Sequence, residues 1–224
     1  WHATNIASKN RFTSNISILI NNVEACIKTI EESSENPIIY KPDLSFAYQP
    51  KLGRNYTLPI NVDLGQGILQ LIDEVQKRFV DSRGRVDYSS LQADPAALDH
   101  YYNLVAAHTP DTDPDLFPSD RHRLAYWINA YNAFVLRGVL DALPIVSVAD
   151  VEGGLDGFFP QQRFVAGGDS LSLDDIENRI IRPTFRDPRI HFAVNCGAAS
   201  CPALDRRAYR ATDLDAHLER QTHR

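Results

Sequence analysis

Ile16, Leu19, Ile20, Val23, Ile27 and Ile30 recur every three or four positions behind Thr13 and Ser14, which predicts an amphipathic helix of about twenty residues. Cys26 falls on its apolar stripe. Four prolines from Pro37 to Pro59 then predict an extended or looping arm. A second stripe, Ile68, Leu71, Ile72, Val75 and Phe79, predicts a helix that stops before Ser82, Arg83 and Gly84. Val86, Tyr88 and Leu91 predict a short extended piece. Asp94 followed by Pro95 marks a helix start, and Leu98, Tyr101, Tyr102 and Val105 carry that helix to about Ala107. The stretch from His108 to Pro118, with three prolines and three acids, is expected to loop.

Ser119 or Asp120 caps the next helix, where Leu124, Trp127, Ile128, Tyr131, Phe134, Val135 and Gly138 share a face. Its other side carries Ala125, Asn129, Asn132 and Ala133 rather than charges. Such a helix is covered on two sides and belongs at the centre of the fold. Asn129 and Asn132 then need partners, because a buried amide without a hydrogen bond costs about 1–3 kcal/mol. The nearly apolar run from Leu124 to Leu140 carries Asn129, Asn132 and Arg137, and it is too short and too polar for a membrane span of about 20 residues.

Beyond a turn at Val146 to Val151 and the break at Gly153 and Gly154, Phe158 to Val165 and Ser170 to Leu171 flank Ala166-Gly167-Gly168-Asp169 and predict a hairpin. Ser172 with Asp175 three residues on predicts a capping box, Ile176, Ile180 and Ile181 continue the helix, and Pro183 ends it. Arg189 to Asn195 reads as a strand, and a last helix begins near Thr212. The expected fold is α+β: a central buried helix packed on a small, mostly antiparallel sheet, behind a helical and extended N-terminal appendage.

Composition adds a boundary. Residues 1–62 hold four Lys and two Arg with a formal charge of +1, whereas residues 63–224 hold one Lys, Lys77, against sixteen Arg and a charge of −7. The shift divides the chain into an appendage, residues 1–62, and a domain, residues 63–224, joined either as a fusion of separate origins or as a domain with an added segment. A net charge of −6 and a pI near 5.6, without a basic stripe, argue against nucleic acid as partner. The appendage helix around Ile16 to Ile30 offers a surface for a protein partner or for self-association. The chain begins at Trp1 without a basic region or a long apolar run, so no signal peptide is visible.

Three ordered motifs carry a resemblance: Tyr126-Trp127-Ile128-Asn129-Ala130-Tyr131-Asn132-Ala133, Leu171-Ser172-Leu173-Asp174-Asp175-Ile176-Glu177, and Asp187-Pro188-Arg189-Ile190-His191-Phe192-Ala193 with Asn195-Cys196 and Ser200-Cys201-Pro202. From about Arg85 to Arg224 the chain resembles the bacterial and plant family known as domain of unknown function number 547. Residues 1–62 resemble nothing recognised. The resemblance implies that family members continue past the last helix here, and that a bacterial member is periplasmic or extracellular. It implies no reaction, so the chemistry rests on the residues near Asn195.

If Arg189 to Asn195 is a strand, His191, Ala193 and Asn195 share one face, and Phe192, Val194 and Cys196 share the other. Cys196 would then keep apolar company as a structural thiol. Cys201, past a Gly-Ala-Ala-Ser loop, would be presented at the sheet's end. A thiol nucleophile needs an activating base, and His191 is the nearest in sequence. Asn129, Asn132 or Asn195 could orient that base, as in Cys-His-Asn enzymes. This gives a thiol-dependent hydrolase or acyl transferase acting on a small molecule or peptide, without a cofactor.

A reading from another class makes Cys196 and Cys201 a disulfide and the asparagines buried supports, leaving a non-catalytic binding or assembly module. A metal held by His191 and both cysteines is disfavoured, because common zinc spacings are absent. Asp111 to Asp115 lacks calcium-loop spacing, its prolines interrupting the ligand positions. Asp174, Asp175 and Glu177 lie in a first helical turn, where capping and the helix dipole account for them.

Overall fold

The computed structural model describes residues 64–198 and 201–224. The predicted helix at Ile16 to Ile30, the proline-bearing arm and the whole appendage lie outside the described residues. Helix α1 spans Leu64–Phe79, α2 Tyr88–Ala93, α3 Ala96–Ala107 and α4 Asp120–Ala142. Strands β1, Phe164–Ala166, and β2, Asp169–Leu171, form a two-stranded antiparallel sheet. A π-helical stretch, Asp175–Ile181, runs into α5, Arg182–Phe185; a 3-10 helix spans Pro188–Phe192, and α6 spans Leu214–Thr222. The architecture is α+β, as the patterning predicts.

Helix α4 is the axis. Every residue from Leu124 to Leu140 is buried, so the helix is covered on all sides rather than two. α3 packs against both α1 and α4, and the π-helical stretch lies against α4. The sheet docks on α4 through Phe134, whose ring stacks on Phe164 at 4.8 Å and meets the edge of Tyr102 at 5.5 Å. Arg137, almost wholly buried, binds Asp99 of α3 at 2.8 Å and Asp141 one turn further along α4. A buried guanidinium demands such partners, because an unpaired charge there costs several kcal/mol.

The hairpin also serves α3. Gly167 and Gly168 both take positive φ, as a tight hairpin turn requires, and their N–H groups donate to the carbonyls of Val105 and Ala106 at 3.0 and 2.9 Å. These are carbonyls in the last turn of α3 that have no partner within the helix. At the other end of the domain, Asp73 of α1 accepts the Ala208 N–H at 3.0 Å and the Arg210 guanidinium at 2.9 Å. That pair ties α1 to the segment before α6.

Three local expectations are corrected. Tyr88 to Ala93 is a helix capped by Asp87, whose carboxylate accepts the Ser90 N–H at 3.0 Å; only the single bridge Val80 to Val86 is extended. Helix α3 begins at Ala96 with Pro95 at the cap position, one residue later than expected, and Asp94 pairs with Arg78 at 2.8 Å. Pro183 does not end the helix, since the chain stays helical to Phe185 and turns only at Arg186, where φ is 49°. The wider π turns before it relieve the clash that a proline ring makes with the carbonyl four residues back.

The largest correction concerns Arg189 to Asn195, which is not a strand. Asp187 caps the 3-10 helix by accepting the Arg189 N–H at 2.9 Å. His191 and Phe192 are both exposed while Ala193 and Val194 are both buried, so the alternation expected of a strand is absent. Arg189 binds Asp187 at 2.6 Å and Asp215 at 3.0 Å, fastening this turn to α6.

Candidate functional site

Asn129 and Asn132 sit three residues apart on α4 and are 3% and 1% exposed. Each side-chain amide pairs with backbone as a peptide group would. Asn129 donates to the Tyr209 carbonyl at 2.9 Å and accepts the Tyr209 N–H at 2.9 Å. Asn132 donates to the Ala193 carbonyl at 2.9 Å and accepts the Asn195 N–H at 2.9 Å. The central helix thereby satisfies two non-helical segments that have no sheet to pair with. In so doing each amide meets the demand that burial imposes.

Asn195 repeats the device one step outward. Its amide donates to the Pro202 carbonyl at 2.7 Å, and its oxygen accepts the Gly197 N–H at 2.8 Å. The two ends of the loop are thus clasped by one side chain. Cys196 and Cys201 are joined across the same loop by a disulfide, with Cα atoms 5.8 Å apart.

This loop forms one wall of a cleft of about 250 Å3. Cys196, Cys201 and Pro202 line that wall, His191 and Val194 come from the 3-10 turn, Asp174 and Glu177 from the helical segment after β2, and Tyr131 from α4. Phe159 closes it. Cys196, Cys201 and His191 thus line one cleft. The asparagines behave differently: among the described residues none is hydrogen-bonded to His191, and Asn129 lines a separate cavity of about 330 Å3 beside Tyr101 and Tyr209.

Tyr131, Asp174 and Glu177 are the residues that sequence reasoning missed. Ser172 and Asp175 do make the predicted capping box, the Asp175 N–H donating to Ser172 Oγ and the Ser172 N–H to the Asp175 carboxylate, both at 3.0 Å. Once Asp175 is so engaged and paired with Arg163 and Arg179, Glu177 is on the far side of the helix. There it accepts from Arg182 Nε at 3.0 Å. Burial, reinforced by the Glu177 carboxylate, pushes the Tyr131 phenol well above its usual range, so it remains a donor. Asp174 accepts from the Asn178 amide at 2.8 Å.

The cleft can therefore accept hydrogen bonds at two carboxylates, offers an exposed imidazole at its rim, and has aromatic and disulfide walls. Among the described residues no group of three His, Cys, Asp or Glu side chains is placed to hold a metal ion, and the two sulfurs of the imagined metal set are bonded to each other. No helix among the described residues is long and apolar enough to cross a membrane.

An α+β domain with a buried axial helix and a disulfide-walled cleft is the class that these features define. Residues 117–224 match the family model described as Protein of unknown function, DUF547, so the resemblance carried by the three motifs holds over that stretch. The match begins at Phe117, later than the Arg85 expected from the motifs, although α1 and α3 before it complete the same core. No curated protein and no solved structure matches the chain.

Proposed function

We propose that this domain is a non-catalytic binding module, with the Cys196–Cys201 bridge and the Asn132 and Asn195 clasps shaping a cleft for a small molecule or a peptide side chain. The observation that carries this reading is the commitment of every residue of the imagined triad except His191. Both amide ends of Asn129, Asn132 and Asn195 are bonded to backbone, and both sulfurs are bonded to each other. The remaining lining of the cleft is recognition chemistry. Asp174 and Glu177 already accept from Asn178 and Arg182 and keep further acceptor positions that favour a ligand with hydrogen-bond donors, and Tyr131 and Phe159 favour a flat or apolar body.

The same bridge supports a periplasmic or extracellular location, since disulfides persist in oxidising compartments. A protein partner for residues 16–30, which the sequence pattern predicts to be an amphipathic helix, would be additional.

A second reading keeps the thiol enzyme. It is favoured by one observation, that Cys201 and His191 line the same cleft, and it requires the reduced chain. The two are separated by incubating the native and the reduced chain with activated esters and thioesters, alongside a Cys201→Ala variant. The binding reading expects no turnover dependent on Cys201 in either state. It also expects that small amines and short peptides which raise the melting temperature lose that effect in Glu177→Gln. Turnover abolished by Cys201→Ala would overturn it.

A further inference from the structure

The loop from Asn195 to Pro202 is closed twice, once by a side-chain clasp and once by a disulfide. Asn195 spans it from within, with its amide on the Pro202 carbonyl and its oxygen on the Gly197 N–H. Asn132 holds the Asn195 backbone from below. A disulfide stabilises chiefly by the loop it closes, and a sequence separation of 5 is near the small end of that effect. The bridge therefore adds little restraint that the asparagines do not already supply. Both cysteines nevertheless line the open cleft rather than the core, and each is only partly buried. Buried disulfides resist exchange because an attacking thiolate cannot reach them, and this one is reachable.

We infer that Cys196 and Cys201 form an exchangeable dithiol–disulfide pair, and that the cleft admits a small thiol or dithiol. In the exchange an incoming thiolate bonds to one bridge sulfur as the Cys196–Cys201 bond breaks, and the other sulfur leaves as a thiolate that takes a proton from water. The second thiol of a dithiol reductant then attacks the mixed disulfide and releases the remaining cysteine. The reductant ends as a disulfide, having given up two electrons, and the domain ends with two thiols. Because Asn195 holds both ends of the loop, the two thiols stay within reach of one another and the pair can close again. This goes beyond the binding reading and stands without it: ligand binding with an inert bridge would defeat the inference alone.

The test uses the full chain, equilibrated in mixtures of reduced and oxidised dithiothreitol without denaturant, then alkylated and peptide-mapped so that Cys26 is scored separately. Near-ultraviolet circular dichroism is recorded in parallel. The expected result is that Cys196 and Cys201 become labelled together while the aromatic spectrum is retained, and that the bridge re-forms when oxidised dithiothreitol is restored. Asn195→Ala should shift the equilibrium severalfold toward the dithiol. Reduction only in denaturant, loss of the aromatic spectrum on reduction, or an unshifted equilibrium in Asn195→Ala would each overturn the proposal. Should Asn195→Ala fold poorly, Cys196→Ser treated with oxidised glutathione provides the second test: one adduct on Cys201 is expected, and none would refute access to the sulfur.

Discussion

Asn132 accepts the backbone N–H of Asn195 at 2.9 Å across a separation of 63 residues, and that bond joins the buried axis of the domain to the loop that walls its cleft. The same amide donates to the Ala193 carbonyl. One side chain on α4 thus sets the position of the segment from which His191, Asn195 and Cys196 project.

Removing that amide should therefore cost stability before it costs anything else. Asn132→Ala leaves a buried carbonyl and a backbone N–H without partners, each worth about 1–3 kcal/mol, so a loss of about 2–6 kcal/mol is expected in chemical denaturation. Asn129→Ala should cost a similar amount, because it strands both backbone groups of Tyr209. A loss within experimental error for either would refute the clasp account.

The ion pair inside the core gives a sharper test of burial. Asp99→Ala leaves the Arg137 guanidinium, 8% exposed, with its partner on α3 removed. Breaking a buried pair from one side costs about 3–5 kcal/mol. Denaturant titration should show this loss, with a smaller one for Asp141→Ala, whose carboxylate is more exposed.

Acid should weaken the attachment of α6. Burial pushes the Asp205 carboxyl up, but the hydrogen bond from His217 at 2.9 Å and the charges of His217 and Arg224 outweigh it and hold the group below its ordinary value. A carboxyl depressed in the folded state contributes stability that is present above its unfolded value, near pH 4, and is lost as pH falls through the folded value. Unfolding free energy measured from pH 6 downward should fall in that acid window, and Asp205→Asn should flatten the fall. An identical slope in the variant would contradict this assignment.

The hairpin turn separates backbone strain from crowding. Gly167 and Gly168 both have positive φ, yet a Cβ on Gly167 would meet the Thr109 side chain at 2.7 Å, whereas one on Gly168 would meet nothing within 4 Å. Gly168→Asn should be nearly neutral, since asparagine tolerates the left-handed region. Gly167→Asn should be clearly destabilising in a thermal melt, because the same residue there must also displace Thr109. Equal melting temperatures for the two would argue against the packing of the hairpin on the Thr109 loop.

Much of the fold was legible because apolar spacing is a direct consequence of helix geometry. The stripes through Ile68 to Phe79 and Leu98 to Val105 lie on helices, and the run from Leu124 to Leu140 lacks a polar face because α4 has no solvent side. Arg189 to Asn195 was not legible. Ile190, Phe192 and Val194 alternate as a strand's residues would, but the capping Asp187 and the fastening of Arg189 to α6 are tertiary facts that override local pattern. Pro183 misled for a related reason, since the π turns that accommodate it leave no mark in the spacing.

For the site, the cysteine pair and His191 could be found because their residue types are chemically distinctive. Glu177 and Asp174 could not, because first-turn acids are so often explained by the helix dipole, and Tyr131 was absorbed into the core stripe of α4. The signal available was the capping box itself: with Asp175 assigned to Ser172, the acids around it had to face elsewhere. The need of Asn129 and Asn132 for partners was readable from their helix alone, but the identity of those partners, 80 and about 60 residues away, was not.

The most direct test of the binding-module account is alkylation of the native chain followed by peptide mapping, with and without prior reduction. The account predicts that Cys196 and Cys201 are both unlabelled in the native chain and both labelled after reduction. Rapid labelling of Cys201 without reduction, persisting below about pH 7, would reveal an activated free thiol and contradict it.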